Sequence, residues 1–269
     1  MSGPRARRSL ACAAAAGALL LASACGTGGG SEAGPGGSAE TGGQVADRGG
    51  RVVVLAAASL TEPLTALARD YEADHPGVDV ALSFGSSTTL AQQVAEGAPA
   101  DVVAFAGTKA LAFLPEDADG RGGRTTIARN TMEIVTPPDN PGRVATLADL
   151  ARQDLDVVLC ASTVPCGAAA DEVVAKAGVA PHVVSREVDV KATLAKVRLG
   201  EADAALVYHS DVVSAGDAVR GVAIPAGQNT TLDYPLLWLN GREHTVGFAR
   251  LVGSGKGVAA LTAAGFLAP

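Results

Sequence analysis

Aliphatic runs alternate along this chain with segments whose apolar positions recur at helical spacing. The β-branched run Val52–Leu55 predicts a buried strand. A turn of small residues follows it, and apolar positions then recur three and four residues apart, at Leu64, Leu67, Ala68 and Tyr71. A helix that starts at the end of a strand has several N–H groups without partners, and these groups favour an anion. The first segment therefore predicts a strand–turn–helix unit able to hold an anion.

The same unit recurs twice with a polar turn. The strand Val80–Phe84 leads through the hydroxyl-rich turn Gly85–Thr89 into a helix from Leu90 to Glu96. Later, Cys160–Gly167 connects an apolar strand to the alanine-rich helix Ala168–Ala177. Ligands of open α/β sheets lie beyond the carboxyl ends of the strands. We therefore expect these turns to meet around a ligand.

Further apolar segments complete the predicted sheet. They are Val102–Phe105, Thr131–Thr136, Leu155–Leu159, Val183–Glu187, Ala204–Tyr208 and Tyr234–Leu239. Strands that alternate with helices predict a mostly parallel, right-handed α/β arrangement. Two groups of polar turns, separated by the strand at Thr131, predict two lobes with a ligand in the cleft between them.

The N-terminal segment predicts export. Residues 1–25 contain three arginines followed by the apolar run Leu10–Ala24, which is shorter than the roughly 20 residues of a membrane span. Leu21–Cys25 resembles a lipobox, in which Cys25 becomes the lipidated first residue, and the alternative is an ordinary signal peptide with a nearby cysteine. Residues 26–50 are rich in glycine and serine without apolar periodicity, which predicts a flexible tether.

Charge and composition narrow the class of function. A formal net charge of -7 disfavours nucleic-acid binding through the overall field. The four histidines have no ligand spacing with each other or with cysteines, so no metal-cation site is predicted. Cys160 and Cys166 remain once the N-terminal cysteines are set aside, and in an exported protein such a pair predicts a disulfide, with two buried thiols as the alternative.

Five short segments together resemble a known family. They are Ala56–Thr61, Phe84–Ala91, Gly97–Asp101, Val164–Gly167 and Val207–Asp211. In this order and at this spacing they resemble the molybdate-binding protein of bacterial ABC transporters, from about Arg51 to the C-terminus. The resemblance implies a two-lobed α/β fold of the type II periplasmic-binding-protein class that closes on a tetrahedral oxyanion. On this basis we expect lobe 1 at residues 51–130 and 231–269 and lobe 2 at residues 131–230.

The resemblance also implies the ligand contacts. These are the hydroxyl and amide of Ser59, the hydroxyl and amide of Ser87, the amides of Cys166 and Val190, and the hydroxyl of Tyr208. The family commonly has alanine in place of Cys166, a change that a backbone contact tolerates. Taken singly, Ser59 with Glu62 also fits a capping box, Ser87 a helix cap, and Tyr208 a core tyrosine whose hydroxyl has a partner.

The donor-only contact set favours a ligand that carries no proton. Molybdate and tungstate are bare dianions at neutral pH, whereas phosphate keeps a proton and calls for a carboxylate acceptor. Sulfate is also a bare dianion and stays open as an alternative ligand. No cofactor is expected.

The resemblance implies a transport role rather than catalysis. The expected protein is a monomeric solute-binding lipoprotein, anchored through Cys25 at the outer face of the cytoplasmic membrane, that delivers the oxyanion to the permease and ATPase subunits of an ABC transporter. The alternative is a secreted enzyme that uses Ser59 or Ser87. That alternative is disfavoured because Gly85–Thr89 lacks the second glycine of the Gly-x-Ser-x-Gly motif.

Overall fold

A computed structural model describes residues 50–118 and 122–269. Its strands are β1 (Arg51–Ala57), β2 (Asp79–Gly85), β3 (Val102–Ala104), β4 (Gly123–Thr136), β5 (Val157–Cys160), β6 (Val183–Glu187), β7 (Ala204–Tyr208), β8 (Arg220–Ala223) and β9 (Thr231–Trp238). The predicted signal segment and tether, with Cys25, lie outside the described residues.

Helices follow most of these strands. The α-helices are α1 (Thr61–Asp74), α2 (Ser87–Ala95), α3 (Pro165–Ala177), α4 (Val190–Arg198), α5 (His209–Ala215), α6 (Glu243–Gly253) and α7 (Gly255–Ala263), with short 3-10 helices at Ala58–Leu60, Lys109–Phe113, Leu147–Ala151 and Gly216–Ala218. Within the described ranges, every helix falls short of the length and hydropathy of a membrane span.

The strands form one mixed sheet in the order β2-β1-β3-β9-β4-β7-β5-β6, with β8 paired to β4. β1 is parallel to β2 and β3, and β5 is parallel to β6 and β7, as the alternation of strands and helices predicts. β4 and β9 run antiparallel to their neighbours. The alternation predicts strands at these two places but not their antiparallel direction. β9, for example, follows β8 without a helix between them, and only parallel neighbours need such a crossover connection. The two-lobed α/β fold class is confirmed.

Strand β4 is shared by the two halves of the sheet. Its residues Gly123–Thr131 pair with β9, and Met132–Val135 pair with β7. At the changeover, the Asn229 side chain accepts a hydrogen bond from the Met132 amide (3.0 Å) and donates one to the Met132 carbonyl (2.8 Å). We propose the lobe boundaries, at residues 130/131 and 230/231, on the basis of this change of partners.

The core lies on both faces of the sheet. All residues of β5 and β7 are buried, as expected for strands covered on both faces. The predicted apolar face of α1 is buried as well, with Leu64 and Leu67 at 0% and 1% exposure. Fully burying one such side chain stabilises the fold by about 1.5–3 kcal/mol.

Two helices begin one turn earlier than predicted. α2 begins at Ser87 rather than Leu90, and α3 at Pro165 rather than Ala168. Proline fits the first helical position because its missing N–H would have no partner there. The polar residues interpreted as turns therefore form the first turns of these helices.

The Asn229 contacts generate a prediction about stability. Asn229→Ala should lower the free energy of unfolding by about 1–3 kcal/mol, because it leaves backbone groups of the buried Met132 without partners. Urea denaturation followed by circular dichroism measures the change. Gln228→Ala removes a neighbouring amide that forms no side-chain hydrogen bond in the described ranges, and should change stability by less than about 0.5 kcal/mol. Equal losses in the two variants would contradict the role of Asn229.

Candidate functional site

Helix N-termini from both halves of the sheet converge on one pocket. Ser87 is the first residue of α2, Cys166 the second of α3 and Val190 the first of α4, while Tyr208 immediately precedes α5. Ser59 lies in the 3-10 turn after β1. All five residues line the pocket. The structure thus brings together every predicted ligand contact, each at or just beyond the carboxyl end of a strand.

The pocket is small. Its cavity volume is ≈ 20 Å³, and one water molecule needs roughly 10–15 Å³ on this measure. The space is of a size that suits a single small ion.

The donors that face the pocket are uncharged. The first-turn N–H groups of α2, α3 and α4 have no acceptor within their own helices and carry the positive end of the helix dipole. Within residues 50–118 and 122–269, no lysine, arginine or histidine lines the pocket, and its one carboxylate is that of Asp189. That carboxylate accepts a hydrogen bond from the Ala192 amide at 2.9 Å and so caps α4. The arrangement can hold an anion without an ion pair.

The Tyr208 hydroxyl is buried without a partner. The side chain is 2% exposed, and its oxygen has no hydrogen-bond partner among the described residues. Burial raises the pKa of Tyr208 well above its usual value, so the group stays a neutral O–H donor. A buried hydroxyl left in this state costs about 1–3 kcal/mol. An acceptor in the pocket would remove that cost.

Both predicted serines contact the protein behind the pocket. The Ser87 oxygen accepts a hydrogen bond from the Ala106 amide at 2.9 Å, which leaves the Ser87 proton free to donate. The Ser59 oxygen lies 3.0 Å from the Tyr234 hydroxyl. The alternative that Ser59 caps the first helix is wrong, because Leu60 is the N-cap of α1 and no side chain caps it. Ser59 lies one residue before that N-cap, in the 3-10 turn, and its hydroxyl contacts Tyr234 of β9 instead.

Ser86 also lines the pocket, and sequence reasoning missed it. It is the N-cap residue of α2, yet its side chain makes no capping bond. Its oxygen is buried and has no partner in the part of the chain that the structure describes. The adjacent serines Ser86 and Ser87 were the sequence feature that could have indicated this residue. The sequence alone cannot show which hydroxyl of such a pair faces a ligand.

A disulfide joins Cys160, at the end of β5, to Cys166 in the first turn of α3, with the two Cα atoms 5.8 Å apart. The next residue, Gly167, packs so closely that an added Cβ would lie 1.9 Å from the Ala161 carbonyl oxygen. The bridge and this close approach hold the start of α3 against the loop that follows β5. They thereby fix the direction of the pocket-facing amides.

Asp211 is fully buried, three residues after Tyr208 along the chain. One carboxylate oxygen accepts a hydrogen bond from the Tyr208 amide at 3.3 Å, and the other lies 3.4 Å from the Lys191 ammonium, which also bonds Glu62. Burial raises the pKa of Asp211 to about 6, although Lys191 and the Tyr208 amide oppose the rise. The carboxylate closes the first turn of α5 and thereby positions Tyr208.

The fold and the site define a solute-binding protein, and comparison with known families agrees. The bacterial extracellular solute-binding protein family matches residues 52–267. The match covers most of the sequence, so the chain belongs to this family.

Individual relatives narrow the class. The molybdate-binding protein ModA of Mycobacterium tuberculosis is 36% identical over 221 residues, which are 81% of this chain and 85% of the relative. The chain therefore belongs with the ModA proteins. The periplasmic molybdate-binding protein of Azotobacter vinelandii has a TM-score of 0.70 at 21% identity, over 81% of this chain and 99% of that one. The sulfate-binding protein SubI of M. tuberculosis also reaches 0.70, at 19% identity over 80% and 86% of the two chains. These two structures show the shared fold alone.

The raised pKa of Asp211 predicts a pH-dependent stability difference. The pKa of Asp211 is about 6 in the folded chain and about 3.8 in the unfolded chain. Between these two pH values the folded chain holds a proton that the unfolded chain has lost, so the contribution of Asp211 to stability is most favourable below about pH 3.8. That contribution is lost as the pH rises through 6. Asp211→Asn carries no such charge, so the variant should gain stability relative to wild type by up to roughly 3 kcal/mol between about pH 4 and pH 8. Urea denaturation across this range measures the difference, and parallel stability curves would contradict the assignment.

Proposed function

We propose that this chain is the extracytoplasmic solute-binding protein of a bacterial ABC transporter, and that its ligand is molybdate, with tungstate as a close equivalent. One observation carries the proposal: the unpartnered, buried Tyr208 hydroxyl lines a small pocket whose other donors are neutral. The relationship to ModA proteins supports the choice of ligand.

The chemistry of the donors supports a ligand that carries no proton. Tyr208 and Ser87 each present an O–H group, and the helix starts present N–H groups. Hydrogenphosphate would need an acceptor for its proton, and the one carboxylate in the described pocket lining, Asp189, has one oxygen bonded to the Ala192 amide as the cap of α4. A bare tetrahedral dianion accepts from all of these groups and donates to none.

Sulfate is the second candidate. It is also a bare tetrahedral dianion, and a protein that shares this fold is described as sulfate-binding. Sulfate is the smaller ion, so the same donors would have to approach it more closely. The relative with the higher identity favours molybdate.

The proposed cellular role follows from the N-terminal segment. We propose that Cys25 carries a lipid, that residues 26–50 form a tether, and that the monomeric folded part delivers its anion to the permease and ATPase subunits at the outer face of the cytoplasmic membrane. Among the described residues, the pocket lining contains no histidine, and its one carboxylate, Asp189, caps α4. A serine nucleophile needs a base beside it, which favours a binding protein over a hydrolase.

Calorimetric titration with molybdate, tungstate and sulfate tests the proposed ligand. We expect similar affinities for molybdate and tungstate and a far weaker one for sulfate. Sulfate binding as tight as molybdate binding would overturn the preferred ligand, and no binding of any of the three would overturn the function.

The same titration on Tyr208→Phe tests the observation behind the proposal. A hydrogen bond to a charged group contributes about 1.5–3 kcal/mol, so the affinity should fall by roughly ten- to a hundredfold. Without ligand, the variant should be as stable as wild type or more so, because it lacks the unpartnered hydroxyl. Tyr71→Phe is the matched control, since the Tyr71 hydroxyl contacts His244 and not the pocket. Unchanged affinity in Tyr208→Phe would show that this hydroxyl does not bind the ligand.

A further inference from the structure

A buried chain of polar side chains lies behind Ser59, and the proposed ligand contacts give these side chains no role. It consists of Tyr234 on β9, Asn130 on β4 and Ser210 on α5, with exposures of 0%, 0% and 2%. None of the three lines the pocket. Buried polar groups are costly unless they are hydrogen-bonded, so an apolar core would be the simpler solution here.

The orientation of the Asn130 amide is fixed by the backbone. Its side-chain oxygen accepts a hydrogen bond from the Thr131 amide at 3.0 Å, and a backbone N–H can only donate. The Asn130 nitrogen must therefore face the two hydroxyl groups. It lies 2.8 Å from the Ser210 oxygen and 3.4 Å from the Tyr234 oxygen.

This orientation sets the direction of the next hydrogen bond. Tyr234 accepts from Asn130, so its own proton points to the Ser59 oxygen, 3.0 Å away. Burial raises the pKa of Tyr234 far above its usual value, so that proton is always present. With one lone pair taken, Ser59 presents its proton to the pocket. Ser87 likewise accepts a hydrogen bond, from the Ala106 amide, and so also presents its proton to the pocket.

We propose that Tyr234, oriented by Asn130, is a specificity-determining positioning residue that holds Ser59 as a hydrogen-bond donor, so that the pocket selects against anions that carry a proton. The proposal rests on the proposed oxyanion-binding function. Without the Tyr234 hydroxyl, nothing keeps the Ser59 proton directed at the pocket, and the hydroxyl can turn its lone pairs there to accept the proton of hydrogenphosphate. Molybdate offers no such proton and loses one well-oriented donor.

Tyr234→Phe tests this role with a minimal change, since it keeps the ring that packs edge-on against Phe266 at 5.1 Å. Calorimetry with molybdate alone, and with molybdate in competition with excess inorganic phosphate, gives both affinities. Molybdate affinity should fall about three- to tenfold, the range of one neutral hydrogen bond. Phosphate affinity should stay the same or rise, so the ratio of molybdate affinity to phosphate affinity should fall. Tyr71→Phe, the control, should leave the ratio unchanged.

A double-mutant cycle separates positioning from a general structural role. In a Ser59→Ala background, Tyr234→Phe should no longer change the ratio, because the hydroxyl it orients is absent. A change of the same size in both backgrounds would overturn the proposal, as would an unchanged ratio in Tyr234→Phe alone. Wild-type protein that binds no oxyanion would instead overturn the proposed function.

Asn130→Asp provides a second variant if Tyr234→Phe does not fold. It keeps an oxygen for the Thr131 amide and replaces the donor that faces Tyr234 with an acceptor. The Tyr234 proton should then turn away from Ser59. The ratio of molybdate affinity to phosphate affinity should fall, as it should in Tyr234→Phe. A ratio equal to that of wild type would overturn the proposal.

Discussion

An anion can leave water only where hydrogen-bond donors replace its hydration, and this pocket must provide them without a cation. Among the described residues, no cationic side chain lines the pocket, so the proposed donors are helix N–H groups and hydroxyls aimed at one point. Such donors are weak singly and must converge from several elements. The remainder of the structure serves that convergence. The disulfide holds the start of α3, Asp189 caps α4, Asp211 holds Tyr208, and the shared strand β4 joins the two sets of donors.

The strand pattern predicted that the polar turns would meet, because the carboxyl ends of parallel strands lie at one edge of a sheet. The individual contact residues were expected from the family resemblance. Local patterns predicted a strand at Tyr234–Leu239 but not the antiparallel direction of β9, since no strand–helix–strand unit leads into it. The hydrogen-bond partner of Ser59 behind the pocket could not be predicted either, because Tyr234 and Ser59 are 175 positions apart in sequence. The predicted cap at Ser59 failed for a related reason. A tertiary contact took the hydroxyl that local rules assigned to the helix start.

The fold alone does not decide which anion is bound. Proteins described as molybdate-binding and as sulfate-binding match this chain with equal TM-scores. Backbone donors at helix starts depend on the fold and not on side-chain identity, so they serve any small anion. Discrimination must then come from hydroxyl groups and from what orients them. In this chain the hydroxyls that line the pocket are those of Tyr208, Ser86, Ser59 and Ser87, the last two with protein partners behind them.

The proposed ligand is one tetrahedral dianion, which occupies the Tyr208 pocket and is held only by neutral donors. Diffraction from crystals grown with tungstate, recorded at the tungsten absorption edge, would locate the ion directly. We expect one anomalous peak in the pocket, with tungstate oxygens about 2.7–3.0 Å from the Tyr208 and Ser87 hydroxyls. A tungsten peak elsewhere on the protein, or a pocket peak with Tyr208 still unpartnered, would contradict the account.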